Sequence, residues 1–254
     1  MLSGIIRAGL LWCVWAGLCA FIAASDVEAA PKAVPNVIFR PSFLTEDFAH
    51  YAGMAFRLKE ERSGRHFLVT AHSLFGPAAD LDVQMSDEDI ARVVVAAVGV
   101  SCTDPRVLVL SRRHVSVAGA RRADERGAEK DITLFELPAG GPAVPALSLD
   151  EAVPVRGDKG WLYVKHADTR RVRLEPVVLA WVSEREIRYF LTDQQADLRG
   201  TTGAPILSET GKVLGMHLGV FTSRMGRNFG YAVPAGALAD ELMPGRAKPV
   251  SVLR

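Results

Sequence analysis

Cysteine is nearly absent from this 254-residue chain: Cys13 and Cys19 lie in an apolar N-terminal leader, and Cys102 stands alone after it. With that leader removed no intramolecular disulfide can form, even in an oxidising compartment, so stability has to come from burial. An excess of either charge is also missing, with 30 Lys and Arg against 29 Asp and Glu. Nor is there a basic tract, which gives no ground for nucleic acid or an anionic membrane surface as partner. His50, His66, His114 and His166 do not pair with Cys, His or carboxylates at metal-site spacing, and no metal or other cofactor is expected. Internal repeats and low-complexity runs are lacking, and long helical periodicity is missing through most of the chain.

The one long apolar run is N-terminal. Arg7 precedes it, Ala8 to Ala24 carry no charge, and small residues follow around Val27-Glu28-Ala29. This pattern reads as an export signal occupying residues 1–29, with cleavage after Ala29 and a mature chain beginning at Ala30. At 17 residues the run also reaches the short end of a membrane span, so an uncleaved leader would act as an anchor. The expected location is the periplasm or the medium. Cleavage moves the formal charge from +1 to +2 and leaves about 225 residues, ample for one large domain or two small barrels.

What the mature chain does contain is a series of short strands. They read as 37–42, 53–58, 66–71, 93–100, 106–110 and 131–137, then 160–165, 173–182, 186–192, 204–207, 212–219 and 228–233. Short strands at close spacing predict an all-β sandwich or barrel. Pro138 to Pro145 is the richest Gly/Pro stretch in the middle and divides the strands into two comparable sets, about 36–145 and 150–245. Ser86 to Ile90 reads as one capped helical turn, and Leu238 and Leu242 predict a terminal helix after Pro234.

Three segments carry chemistry: Leu68-Val69-Thr70-Ala71-His72, Asp131-Ile132-Thr133-Leu134, and Gly200-Thr201-Thr202-Gly203-Ala204-Pro205. Asp131 enters a strand that is apolar on both faces, so its carboxylate needs a partner. An imidazole N–H would serve, and would leave the other ring nitrogen free as a base. Gly200 allows its own N–H and that of Thr202 to converge on a developing oxyanion. Singly, a strand-end histidine, a strand-start aspartate and a tight glycine turn all have structural explanations. Their occurrence together, in this order, points to acyl transfer.

Gly53 to His72, Asp131 to Leu137, and Leu191 through Gly200–Ile206 to Pro234 together resemble chymotrypsin-like proteases of the bacterial HtrA and glutamyl endopeptidase type. The resemblance spans roughly residues 50 to 243 and implies an all-β fold of two orthogonal six-stranded barrels with a short C-terminal helix. It implies His72, Asp131 and Thr202 as catalytic residues, and the amides of Gly200 and Thr202 as the oxyanion hole. His217 takes the place of a substrate-pocket histidine that would favour acidic or amide side chains. Three departures stand out: threonine replaces the family's serine at 202, one residue is missing just before His72, and one is extra between Asp193 and Gly200. The threonine methyl stiffens χ1 and crowds the attacking oxygen. The expectation is an exported trypsin-like peptidase acting on peptides or proteins without a PDZ domain. The alternative is a catalytically impaired relative that binds a peptide or protein.

Overall fold

A computed structural model describes residues 30–31, 34–139, 144–166, 171–223 and 226–243. The leader assigned to residues 1–29 lies outside them. In the first half, strands β1 (Ile38–Leu44), β2 (Ala49–Tyr51), β3 (Ala55–Lys59), β4 (His66–Thr70), β5 (Ala96–Ser101), β6 (Leu108–Ser111), β7 (Arg113–Val115) and β8 (Thr133–Leu137) form one antiparallel sheet. Its order is β6-β5-β1-β3-β4-β8-β7, with β2 on β1. The edge strands β6 and β7 are consecutive in the chain, and the Ser111 hydroxyl donates to the Glu136 carbonyl, which nearly closes the barrel.

Eight strands build this sheet where six were expected. The additional β2 and β7 have three residues each, too few to show an apolar alternation.

The second half closes fully. Strands β9 (Lys159–Lys165), β10 (Val172–Val182), β11 (Ile187–Leu191), β12 (Pro205–Leu207), β13 (Val213–Thr222) and β14 (Asn228–Pro234) form a barrel in the order β10-β11-β14-β13-β12-β9.

Burial explains why the first-half strands are apolar on both faces. Successive side chains point to opposite sides of a strand. Leu68 of β4 and Phe135 of β8 join Phe39, Phe43 and Phe75 inside the first barrel, where the Phe43 ring lies 4.5 Å from Phe75 and 5.7 Å from Phe135. Their chain neighbours Val69 and Leu134 face the other way, into a cluster that continues through Leu162, Val164 and Met216 of the second barrel. The segment between the barrels is a strap: Leu147 exchanges backbone hydrogen bonds with Arg57 and Lys59, and Ser148 and Asp150 with Val213.

Two helices complete the fold. α1 (Asp87–Val93) extends the expected single turn; Ser86 and Asp89 form a reciprocal capping box at its start. Ser86→Ala removes the bond to the Asp89 amide and is expected to lower unfolding stability by about 1 kcal/mol in urea denaturation. α2 (Ala235–Leu242) buries Leu238 and Leu242. Among the described residues no helix is long and apolar enough to cross a membrane.

Candidate active site

β4 ends at Thr70, whose hydroxyl donates to the Met54 carbonyl at 2.7 Å, and the chain then enters a 3-10 turn, His72–Phe75. β8 brings Asp131, two residues before its first residue, against this turn. The Asp131 carboxylate is 1% exposed; Oδ1 accepts the Ser73 N–H at 2.7 Å and Oδ2 the Ala123 N–H at 2.9 Å. Burial pushes this carboxyl above its ordinary range, while the Ala123 and Ser73 amides, the Ser73 hydroxyl and the charge of His72 pull it back.

His72 is also 1% exposed. Nδ1 makes a long 3.5 Å contact with Thr133 Oγ1. Burial lowers its pKa, with Asp131, Asp87 and the Met85 backbone opposing and His114 reinforcing. Asp87 belongs to the same polar group: Oδ2 accepts the Ser116 hydroxyl at 2.6 Å and the Val117 N–H at 3.2 Å, and Oδ1 lies 3.2 Å from His114 Nε2 without a hydrogen-bonding angle.

The glycine loop sits on the second barrel. Thr202 is half-buried, and its Oγ1 donates to the Leu218 carbonyl at 2.8 Å. Its own carbonyl accepts the Met54 N–H at 2.7 Å, which ties the loop to the first barrel. Position 203 has to be glycine, because φ is +92° and a Cβ would lie 2.0 Å from the Met54 carbonyl oxygen. The Thr201 N–H goes to Leu198 and the Gly203 N–H to His217. Among the described residues the Gly200 and Thr202 N–H groups have no acceptor.

Of the residues singled out in the sequence, Asp131 and His72 therefore interact electrostatically, and Gly200 and Thr202 present free amides on one loop. No hydrogen bond joins His72 to Asp131 or to Thr202 among the described residues. Ser73, which the sequence reading passed over, meets Asp131 instead. The residue missing before His72 was the available signal: with one residue fewer, it is the next residue, Ser73, that meets the carboxylate.

His217 lies on β13 and is 1% exposed. Nδ1 is 2.5 Å from the Tyr189 hydroxyl, Nε2 has no partner among the described residues, and burial lowers the pKa to about 3. Two other histidines sit in carboxylate pairs rather than at the surface, His114 with Asp87 and His166 with Glu175. Those pairs join separate parts of the fold, β7 with α1 and the residue after β9 with β10, and leave no short-range pattern. Cys102 is a buried thiol pushed up to about 11 by burial. No cluster of three metal-ligating side chains occurs among the described residues.

The chain's fold is similar to that of a serine endoprotease from Yersinia pestis, with a TM-score of 0.52 and 10% sequence identity over 83% of this chain and 62% of that one. It is similar also to the Rv3671c protease of M. tuberculosis in its active form, with a TM-score of 0.52 and 13% identity over 87% of this chain and 91% of that one. Neither a protein-family model nor a curated protein matches the sequence. The structural likeness establishes the two-barrel fold of chymotrypsin-like serine proteases, at identities too low to carry activity with it.

Proposed function

We propose that this chain is a catalytically silent relative of the HtrA and glutamyl endopeptidase group that binds an extended peptide or protein segment beside the Gly200–Gly203 loop. One observation carries this reading: the Asp131 carboxylate is held by Ser73 and Ala123, while the Thr202 hydroxyl is donated to Leu218. An imidazole buried against Thr133 is not available to take a proton from Thr202. The amides of Gly200 and Thr202 still offer two donors to a peptide carbonyl. The Tyr189 hydroxyl can donate to His217 Nδ1, but the ring is 1% exposed and its Nε2 is enclosed, so the preference for a Glu or Gln side chain expected from His217 is not part of this reading.

The peptidase reading, with Thr202 attacking, His72 as base and Asp131 orienting it, is favoured by the same free amides and by the electrostatic coupling of His72 to Asp131. A fluorophosphonate probe separates the two. The natural protein is expected to remain unlabelled in intact-mass spectra; an adduct on Thr202 that Thr202→Ala abolishes would establish the peptidase. We also propose export with cleavage after Ala29. The mass of the protein recovered from an expressing bacterium should then correspond to a chain starting at Ala30, and retention of residues 1–29 would indicate an anchor.

A further inference from the structure

A groove of about 420 Å³ lies on the first barrel between the β1–β2 turn and α1. Natural ligand sites occupy about 300–1,000 Å³, so the groove is large enough to hold one. Its floor is apolar: Phe43 and Phe75 belong to the aromatic cluster inside the barrel, and Leu81, Met85 and Val94 complete it. Phe48 of the turn also lines the groove, yet it is 57% exposed.

The turn holds that exposed ring in place. The Thr45 N–H and hydroxyl donate to the Phe48 carbonyl at 2.9 and 3.0 Å, and the Phe48 N–H donates back to the Thr45 hydroxyl at 3.1 Å. In β2, His50 donates through Nε2 to the Leu74 carbonyl at 2.9 Å, and its ring stacks on Phe43. A braced wall of this kind loses little further freedom when a partner covers it.

The charge around the apolar floor is of one sign. Residues 44–50 and 76–95, which supply most of the walls, carry seven carboxylates and one guanidinium. That guanidinium, Arg92, pairs with Asp89 at 2.5 Å, and Asp87 is turned to Ser116 and Val117. Glu46 and Asp47 line the groove and Asp80 and Asp82 flank Leu81; among the described residues none of these four exposed carboxylates pairs with a cation. In a chain of balanced overall charge this is a local concentration, which repels anionic partners and draws cationic ones.

We propose that the groove docks a peptide or protein segment in which one or two large apolar side chains are flanked by Lys or Arg. The apolar side chains seat on Phe43, Phe75 and Met85 beside Phe48, and the flanking cations meet Glu46 and Asp47 on the turn and Asp80 and Asp82 around Leu81. A purely apolar ligand would leave the four carboxylates unanswered, and an acidic one would be repelled by them. None of the lining residues belongs to the Gly200–Gly203 loop, so the inference stands whether or not that loop binds peptide.

The test is fluorescence polarisation of a labelled probe, Gly-Lys-Lys-Phe-Leu-Lys-Lys-Gly, with the natural protein, Phe48→Ser, and a double variant carrying Glu46→Lys and Asp47→Lys. The three side chains are exposed and the turn is held by Thr45 and backbone groups, so both variants keep the fold, which their urea midpoints check. Binding to the natural protein should be saturable, and either variant should weaken it at least about tenfold. Exchanging the lysines of the probe for glutamate should abolish it, and raising salt from about 0.05 M to about 0.5 M should weaken it several-fold. Absence of saturable binding, affinity unchanged in Phe48→Ser or in the double variant, or equal binding of the glutamate probe overturns the proposal. Sedimentation of the natural protein alone covers the remaining occupant: self-association that Phe48→Ser abolishes would place a second copy in the groove and overturn it as well.

Discussion

Combining His72→Ala, Ser73→His and Thr202→Ser is expected to convert an unreactive protein into one that a fluorophosphonate labels at position 202, at least about 1,000-fold faster than the natural chain. The expectation rests on Asp131, which already receives the Ser73 N–H at 2.7 Å and is stabilised by the Ser73 hydroxyl. An imidazole introduced at that position starts from the same Cα, with one ring nitrogen toward the carboxylate. His72→Ala removes the buried imidazole that now interacts electrostatically with Asp131. Thr202→Ser removes the methyl that restricts χ1, leaving the hydroxyl able to turn away from the Leu218 carbonyl. Base and nucleophile act as a unit, so Thr202→Ser alone, or the two changes at 72 and 73 alone, should stay near background. Asp131→Asn added to the triple variant should abolish the gain. Labelling that appears with Thr202→Ser alone would mean that His72 already serves as base.

The second large effect is acid destabilisation through His217. Burial lowers its folded pKa to about 3 from an ordinary value of 6.5, so the fold favours the neutral ring. This contribution is fully present above the unfolded value and is lost as pH falls from about 6.5 toward 3, at about 1.4 kcal/mol per unit. Roughly 2 kcal/mol should be gone by about pH 5, and on the order of 5 kcal/mol by about pH 3. His72 and His114 are lowered for the same reason and act in the same direction. Asp131, whose pKa is raised, acts oppositely: its contribution is present at low pH and lost as pH rises through the folded value. His217→Gln isolates the one histidine. In urea denaturation it should reduce the stability lost between pH 7 and pH 5 by about 2 kcal/mol. Equal losses in both proteins would mean that His217 accepts its proton inside the fold.

Most of the strands were legible because both faces of the first-barrel strands are covered, giving apolar runs such as Phe67-Leu68-Val69 and Thr133-Leu134-Phe135. The glycine loop was legible for a different reason: positive φ at Gly200 and Gly203 and the close approach of Met54 leave few residues that fit. What the sequence concealed is directional. A shortfall of one residue after β4 changes which side chain faces Asp131, yet leaves the composition of the segment nearly untouched. The motif Thr-Ala-His reads as a catalytic histidine, whereas the local 3-10 geometry brings Ser73 to the carboxylate. The His114–Asp87 and His166–Glu175 pairs escaped notice because each is made by packing between elements rather than by spacing along the chain.

The central claim is that the loop around Thr202 binds a peptide without cutting it. Incubating the natural protein with a defined peptide mixture, and reading both retained peptides and new termini by mass spectrometry, tests this on one sample. The account predicts peptides enriched on the protein and recovered whole, with no new termini above a protein-free control. New termini that disappear in Thr202→Ala would contradict it.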